Sequence, residues 1–205
     1  MGAGERMRMP LADRSALVLG AGREPGRAIA AALAGAGLRL IVVDLNPDAV
    51  ARAADEIVAR GGRAAAHTVD PSNKLALQTL LYTVVEEQPR LDLLVNAVHV
   101  EPRSDALRLD ESEWNRTLDV NLKGPFLAAQ TTARAMSVTG GGLIVNVVQS
   151  PGARHAAVRA ARDGLLGLSA ALAEEWAPLG IRVAVVEAGG TAAADVLRLA
   201  RETWP

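Results

Sequence analysis

The chain has 205 residues, half of them hydrophobic and 22% charged, enough apolar material for one folded domain with a sizeable core. A formal net charge of -1 argues against a nucleic-acid partner or an anionic membrane surface, and no apolar run has the length of a membrane span. With no cysteine, disulfides and thiolate metal sites are excluded, and no metal site is expected. Residues 1–10 read as a loose tail, and the N-terminal stretch has no apolar core of a secretory leader, so a cytoplasmic location is expected.

Short apolar runs alternate with longer Ala-rich stretches. Residues 15–20 predict a strand and 26–36 a helix. A strand at 38–44 precedes a helix from 47 to about 60. A third strand at 63–69 leads to a helix at 72–88, and a fourth strand occupies 91–96. After a polar loop, one long helical stretch runs from about 111 to 136. A fifth strand at 142–148, a helix at about 156–177, a sixth strand at 181–186 and a helix from about 192 complete the chain. The strands are near-continuous apolar runs, the pattern of strands covered on both faces. Strands separated by helices imply parallel pairing through right-handed crossovers. Gly61-Gly62 and Gly140–Gly142 punctuate helix ends. The expectation is a single three-layer, doubly wound α/β domain over 1–205 with about six parallel strands.

The turn after the first strand reads Gly20-Ala21-Gly22-Arg23-Glu24-Pro25-Gly26 and opens a helix. Such a turn can aim backbone N–H groups and the helix dipole at a pyrophosphate. Pro25 suits the first helical position. Asp44 ends the second strand, where an acid can take ribose hydroxyls. Together these predict a Rossmann-like dinucleotide site. Glu24 cuts against tight binding: a like charge beside a pyrophosphate costs roughly 1–4 kcal/mol at a surface-like dielectric, which Arg23 or Arg27 can offset in part.

These residues resemble the short-chain dehydrogenase/reductase family over about residues 11–191. The family's Thr-Gly-x-x-x-Gly-x-Gly stands here as Leu19 to Gly26, with the Thr and the middle Gly replaced by Leu19 and Glu24. The resemblance makes Gly20, Gly22, Arg23, Gly26, Asp44, Asp70 and Asn96 the cofactor-binding residues. Asp44 matches the acid associated with NAD rather than NADP, Asp70 the residue that contacts adenine, and Asn96 the first residue of the family's Asn-Asn-Ala-Gly. Val120-Asn121-Leu122-Lys123-Gly124 carries the family's catalytic Asn, and Ile144–Val147 and Gly180–Val183 match its later strands.

The centre of the family's chemistry departs from the pattern. A Ser after the fifth strand and a Tyr and Lys four residues apart are expected; their positions hold Gln149, Val158 and Arg162. Arg162 keeps a positive charge but cannot usefully deprotonate, and Val158 cannot transfer a proton. Tyr82 reads as a helix-packing residue. Substitute groups are His99, on the ligand edge after the fourth strand, His155 in a shortened segment, and Ser150 beside the missing serine; their plainer roles are space-filling, a solvated loop and turn chemistry. The catalytic candidates are therefore Asn121, Arg162, Gln149, Ser150, His155 and His99. Only Thr191–Pro205 follow the sixth strand, where the family usually carries a lid and a seventh strand; none is expected here unless another chain supplies it. The resemblance also implies a homo-oligomer, dimer or tetramer, through the helices at about 111–136 and 156–177, whose Ala128, Ala129, Ala170 and Ala171 allow close packing on a partner or on the sheet.

Three functions stay open. The chain can be a divergent family member that keeps the fold and a dinucleotide but not carbonyl/alcohol redox: a regulatory subunit, a hetero-oligomer partner or an enzyme for another reaction. It can be an active NAD(P)-dependent oxidoreductase on a small-molecule carbonyl or alcohol, with His99 or His155 as acid. Or it can be an interaction protein without a ligand.

Overall fold

The computed structural model describes residues 11–87 and 90–204; the expected N-terminal tail lies outside them. Six parallel strands form one sheet in the order β3-β2-β1-β4-β5-β6. They are β1 (Ser15–Leu19), β2 (Arg39–Asp44), β3 (Arg63–Thr68), β4 (Leu93–Asn96), β5 (Gly142–Val148) and β6 (Ile181–Glu187). The helices are α1 (Gly26–Gly35), α2 (Pro47–Ala59), α3 (Lys74–Glu87), α4 (Glu111–Leu118), α5 (Gly124–Thr139), α6 (Ala156–Trp176) and α7 (Ala192–Thr203). No helix of the described residues is long and apolar enough to cross a membrane.

Alternate side chains of β1, β2, β4 and β5 feed two cores. Ala16 and Val18 of β1 pack with Ile29 and Leu33 of α1, Val50 and Ile57 of α2 and Val196 of α7. Leu17 and Leu19 pack on the other face with Leu77 and Leu81 of α3, Ala128 and Met136 of α5 and Leu172 of α6. A strand buried on both sides must be apolar at every position, which is why β1 and β5 read as unbroken runs. The crossover after β3 returns to β4 on the opposite face. Strand order therefore reverses between β1 and β4, and a crevice opens at their carboxyl ends.

Four details depart from the expectations. The long helix at 111–136 is interrupted at Asp119–Lys123 by a π-helical turn, in which Gly124 N–H bonds the carbonyl of Asp119, and it continues to Thr139. Pro125 has no N–H to give to the carbonyl four residues back, so the ladder widens there. Pro25 is the cap before α1 rather than its first residue. Tyr82 is 69% exposed; α3 turns Leu77, Leu80 and Leu81 to the sheet and Tyr82 to solvent, so it does not pack between helices. The alanine pairs divide: Ala128 and Ala129 are buried against the sheet, whereas Ala170 and Ala171 are exposed.

The amino edge of the sheet is tied by one buried carboxylate. Asp92 accepts from Arg14 Nη1 (2.8 Å), Arg90 Nε (2.6 Å) and Ser15 N–H (3.1 Å). Arg14 in turn lies over the Trp204 ring, 4.4 Å from its centroid.

Candidate functional site

The turn between β1 and α1 is shaped by glycine at two points. Gly20 has φ +83°, and a Cβ there would lie 2.6 Å from the carbonyl oxygen of Ala97. A Cβ on Gly26 would lie 2.2 Å from the carbonyl oxygen of Gly20. No other residue closes this turn without moving backbone. Gly20 and Ala21 donate to the carbonyl of Val43 (2.8 and 3.1 Å), which binds the turn to the end of β2.

Asp44 is buried and already engaged. Its carboxylate accepts from Gly22 N–H and Asn46 N–H, both at 3.0 Å. Asn46 caps α2 by accepting from Ala49 N–H at 3.0 Å. Asp70 accepts from the N–H and hydroxyl of Ser72 at 2.9 and 2.7 Å. These acids stand on neighbouring strand ends because the Asp44 carbonyl also takes Val69 N–H.

Glu24 has a structural partner. Its carboxylate accepts from Ala28 N–H at 3.2 Å, in the first turn of α1. That is the end of a helix where anions are stabilised, so the carboxylate stands where an anionic ligand would. Arg27 bonds Glu56 twice through its guanidinium, and the charge of Glu24 acts on it as well. Arg23 lines the cleft beside it.

A cleft of about 290 Å³ lies over this edge, and Gly20, Arg23, Asp44, Asp70 and His99 all line it. Aliphatic walls come from Leu45, Val69, Val98 and Val120, and Arg116 of α4 stands on the rim. His99 Nε2 lies 3.3 Å from Glu101 Oε1. Burial holds the His99 imidazole below its ordinary pKa of 6.5, with the pairing to Glu101 opposing in part. Asn96, beneath the cleft, donates to Asn146 Oδ1 (2.7 Å) and to the Pro125 carbonyl (3.3 Å); Asn146 donates on to Ser169 (2.9 Å). Asn121, in the π-helical turn, clasps Val100 by accepting its N–H and donating to its carbonyl, both at 2.8 Å.

The other half of the edge is closed on itself. Arg162 donates to the Gln149 carbonyl (2.7 Å), to Asp163 (2.9 Å) and to Glu187 (3.1 Å). Ser150 donates to the Ala188 carbonyl at 3.1 Å. Val158 is 1% exposed and packed in the core. His155 precedes α6 as its cap residue and makes no side-chain cap bond. Gln149, Ser150, His155, Val158 and Arg162 do not line the cleft that holds His99. Sequence reasoning missed Ser72, Arg116 and Glu187. The Asp-x-Ser spacing announces an Asx turn and so gave a signal for Ser72. Arg116 and Glu187 meet the site only through the fold.

The sequence pattern described as short chain dehydrogenase matches residues 14–203. D-threitol dehydrogenase from Mycolicibacterium smegmatis is 36% identical over 180 residues, covering 84% of this chain and 68% of that protein. NAD-dependent glycerol dehydrogenase from Listeria innocua is 32% identical over 177 residues, covering 84% of this chain and 68% of that protein. The crystal structure of a metagenomic short-chain oxidoreductase in complex with NADP superposes with a TM-score of 0.87 at 32% identity, covering 94% of this chain and 92% of that one. With this sheet order, this glycine turn and these relatives, the chain belongs to the short-chain dehydrogenase family of NAD(P)-binding oxidoreductases.

Proposed function

We propose that this chain binds a nucleotide through Gly20, Gly22, Arg23, Gly26, Asp44, Asp70 and Asn96 but has lost the family's carbonyl/alcohol redox chemistry. The observation that carries the reading is α6. Val158 is buried, and Arg162 is engaged by Gln149, Asp163 and Glu187. Alcohol oxidation needs a group that takes the hydroxyl proton within hydrogen-bond reach, and neither residue can act so. Asn121, clasped to Val100, shapes the edge of the cleft instead. A bound nicotinamide cofactor would supply hydride transfer; what this chain contributes is the turn, the acids and the aliphatic walls on one side of it. Asp44 favours NAD, since a 2′-phosphate would meet its charge, with Arg23 the opposing cation.

The test is the purified protein with NAD or NADP and a panel of polyols and secondary alcohols. No reduced cofactor should accumulate, while nucleotides raise the melting temperature. Turnover at about 1 s⁻¹ or faster, an ordinary enzymatic rate, would overturn the reading.

A second reading is favoured by His99. It lines the cleft and is held neutral at working pH, so it can accept a proton. The relatives named for D-threitol and glycerol would then point to a polyol as substrate. Under this reading His99→Gln abolishes turnover; unchanged turnover removes it.

Assembly through α4–α5 and α6 belongs to the same proposal. Leu122, Phe126 and Leu168 line an apolar groove between these helices, and Ala170 and Ala171 are exposed on α6. Light scattering should give a dimer or tetramer in the cytoplasmic range of pH and salt.

A further inference from the structure

We infer, on the nucleotide-binding reading above, that His99 is a proton-dependent anion-binding residue: a negatively charged group of the ligand docks against Arg23 and His99, and the imidazole takes a proton from solution as it does so. His99 stands where the family's Asn-Asn-Ala-Gly ends in glycine, so the family's motif supplies no such group.

The cleft holds no surplus of positive charge. Arg23, Asp44 and Asp70 line it on one side of the strand-order reversal, and His99 and Arg116 on the other. Two guanidinium groups thus share it with two carboxylates, and Glu101 stands beside His99. The N-terminal turn of α1 carries a further carboxylate, Glu24, on Ala28 N–H. A phosphate-bearing ligand therefore meets as much negative charge as positive, unless a group in the cleft gains a proton. Both oxygens of Asp44 already accept backbone N–H groups, and Asp70 holds Ser72. The imidazole is the cleft-lining group whose ordinary titration range is neutral.

The ring is oriented for that role. Its Nε2 lies 3.3 Å from Glu101 Oε1. A carboxylate only accepts, so the neutral ring keeps its hydrogen on Nε2 and leaves Nδ1 bare. A bare nitrogen repels phosphate oxygens. A proton on Nδ1 makes it a charged donor to them, while Glu101 remains the partner of Nε2. Asn121 bonds the next residue, Val100, twice at 2.8 Å, which keeps this segment at the cleft.

In the free protein burial and the nearby charge of Arg23 hold the His99 pKa down, and Glu101 opposes them. An anion that engages Arg23 cancels that charge and adds its own, and both changes favour the imidazolium. Ligand thus raises the pKa, and by linkage affinity rises as pH falls from the bound-state value towards the free-state value.

Calorimetric titration of the full chain with NAD and with adenosine, at about pH 6 and about pH 8 and in two buffers of unlike ionisation enthalpy, tests this. NAD is the probe because its diphosphate has no proton to gain in that range. NAD should bind roughly fivefold tighter at the lower pH and take up protons from the buffer. Adenosine, which carries no phosphate, should bind alike at both. His99→Gln should bind NAD with one affinity at both pH values and without proton uptake. Equal NAD affinities in the wild type, a pH dependence that persists in His99→Gln, or the same dependence for adenosine overturns the inference and leaves the nucleotide-binding reading standing. Where His99→Gln does not fold, proton NMR of the three histidines of the wild type decides: NAD raises the pKa of one imidazole if the inference holds, and of none if it fails. NAD that binds at neither pH overturns both readings together.

Discussion

Two halves of one sheet edge have diverged. At the ends of β1, β2 and the segment after β3, glycines leave room, carboxylates face a cleft and aliphatic side chains wall it. At the ends of β5 and β6, Arg162, Glu187, Ser150 and Ala188 bond one another, and Val158 fills the core. The contrast separates two kinds of constraint. Gly20 and Gly26 are required by the backbone itself, because any Cβ meets a carbonyl oxygen. A proton-transferring side chain on α6 is required only by chemistry. A valine on that helix is compatible with the fold, as the burial of Val158 shows.

The comparison can be broken hardest at Gly26. Gly26→Ala forces a methyl against the Gly20 carbonyl, and a stability loss of about 3 kcal/mol should follow, read by urea unfolding, together with loss of any nucleotide-dependent rise in melting temperature. Glu24→Gly removes the carboxylate from the first turn of α1 and restores the family's middle glycine; ADP and NAD should both bind roughly tenfold tighter by calorimetry. Equal affinities would show that the charge is too well solvated to matter. Asn46→Ala removes the cap of α2 and should cost about 1 kcal/mol in denaturant unfolding, with the cleft retained.

The smallest effect concerns His99. Burial lowers its pKa in the fold, so the unfolded chain takes up a proton near pH 6.5 that the folded chain refuses. The contribution of a neutral His99 is present above pH 6.5 and is lost as pH falls below it. The melting temperature of the wild type should therefore drop more steeply from pH 7 to pH 5 than that of His99→Gln. Parallel curves would place the imidazole in solvent.

Much of this was legible in the sequence, for identifiable reasons. Strands buried on both faces leave unbroken apolar runs, so β1, β2, β4 and β5 could be read directly. β3 was readable despite its exposed edge position because the Gly61-Gly62 turn marks its start. The π-helical turn at Asp119–Lys123 was not, since the hydrophobic period continues through it; Pro125 was the signal, and it also fits an ordinary helix start. The exposure of Tyr82 depended on which face α3 turned to the sheet. Counting from Gly152 picks out Gln149, and counting from Gly164-Leu165 picks out Val158 and Arg162. That Arg162 would be held by Glu187 could not be read this way, because the two meet only when β6 aligns beside β5.

The stacking of Arg14 on Trp204 has a practical consequence. Residues at opposite ends of the described chain meet at the amino edge of the sheet, and the cleft opens at the other edge. A surface or reporter attached beside Trp204 therefore lies behind the cleft, and a protein immobilised there should present the cleft to solution.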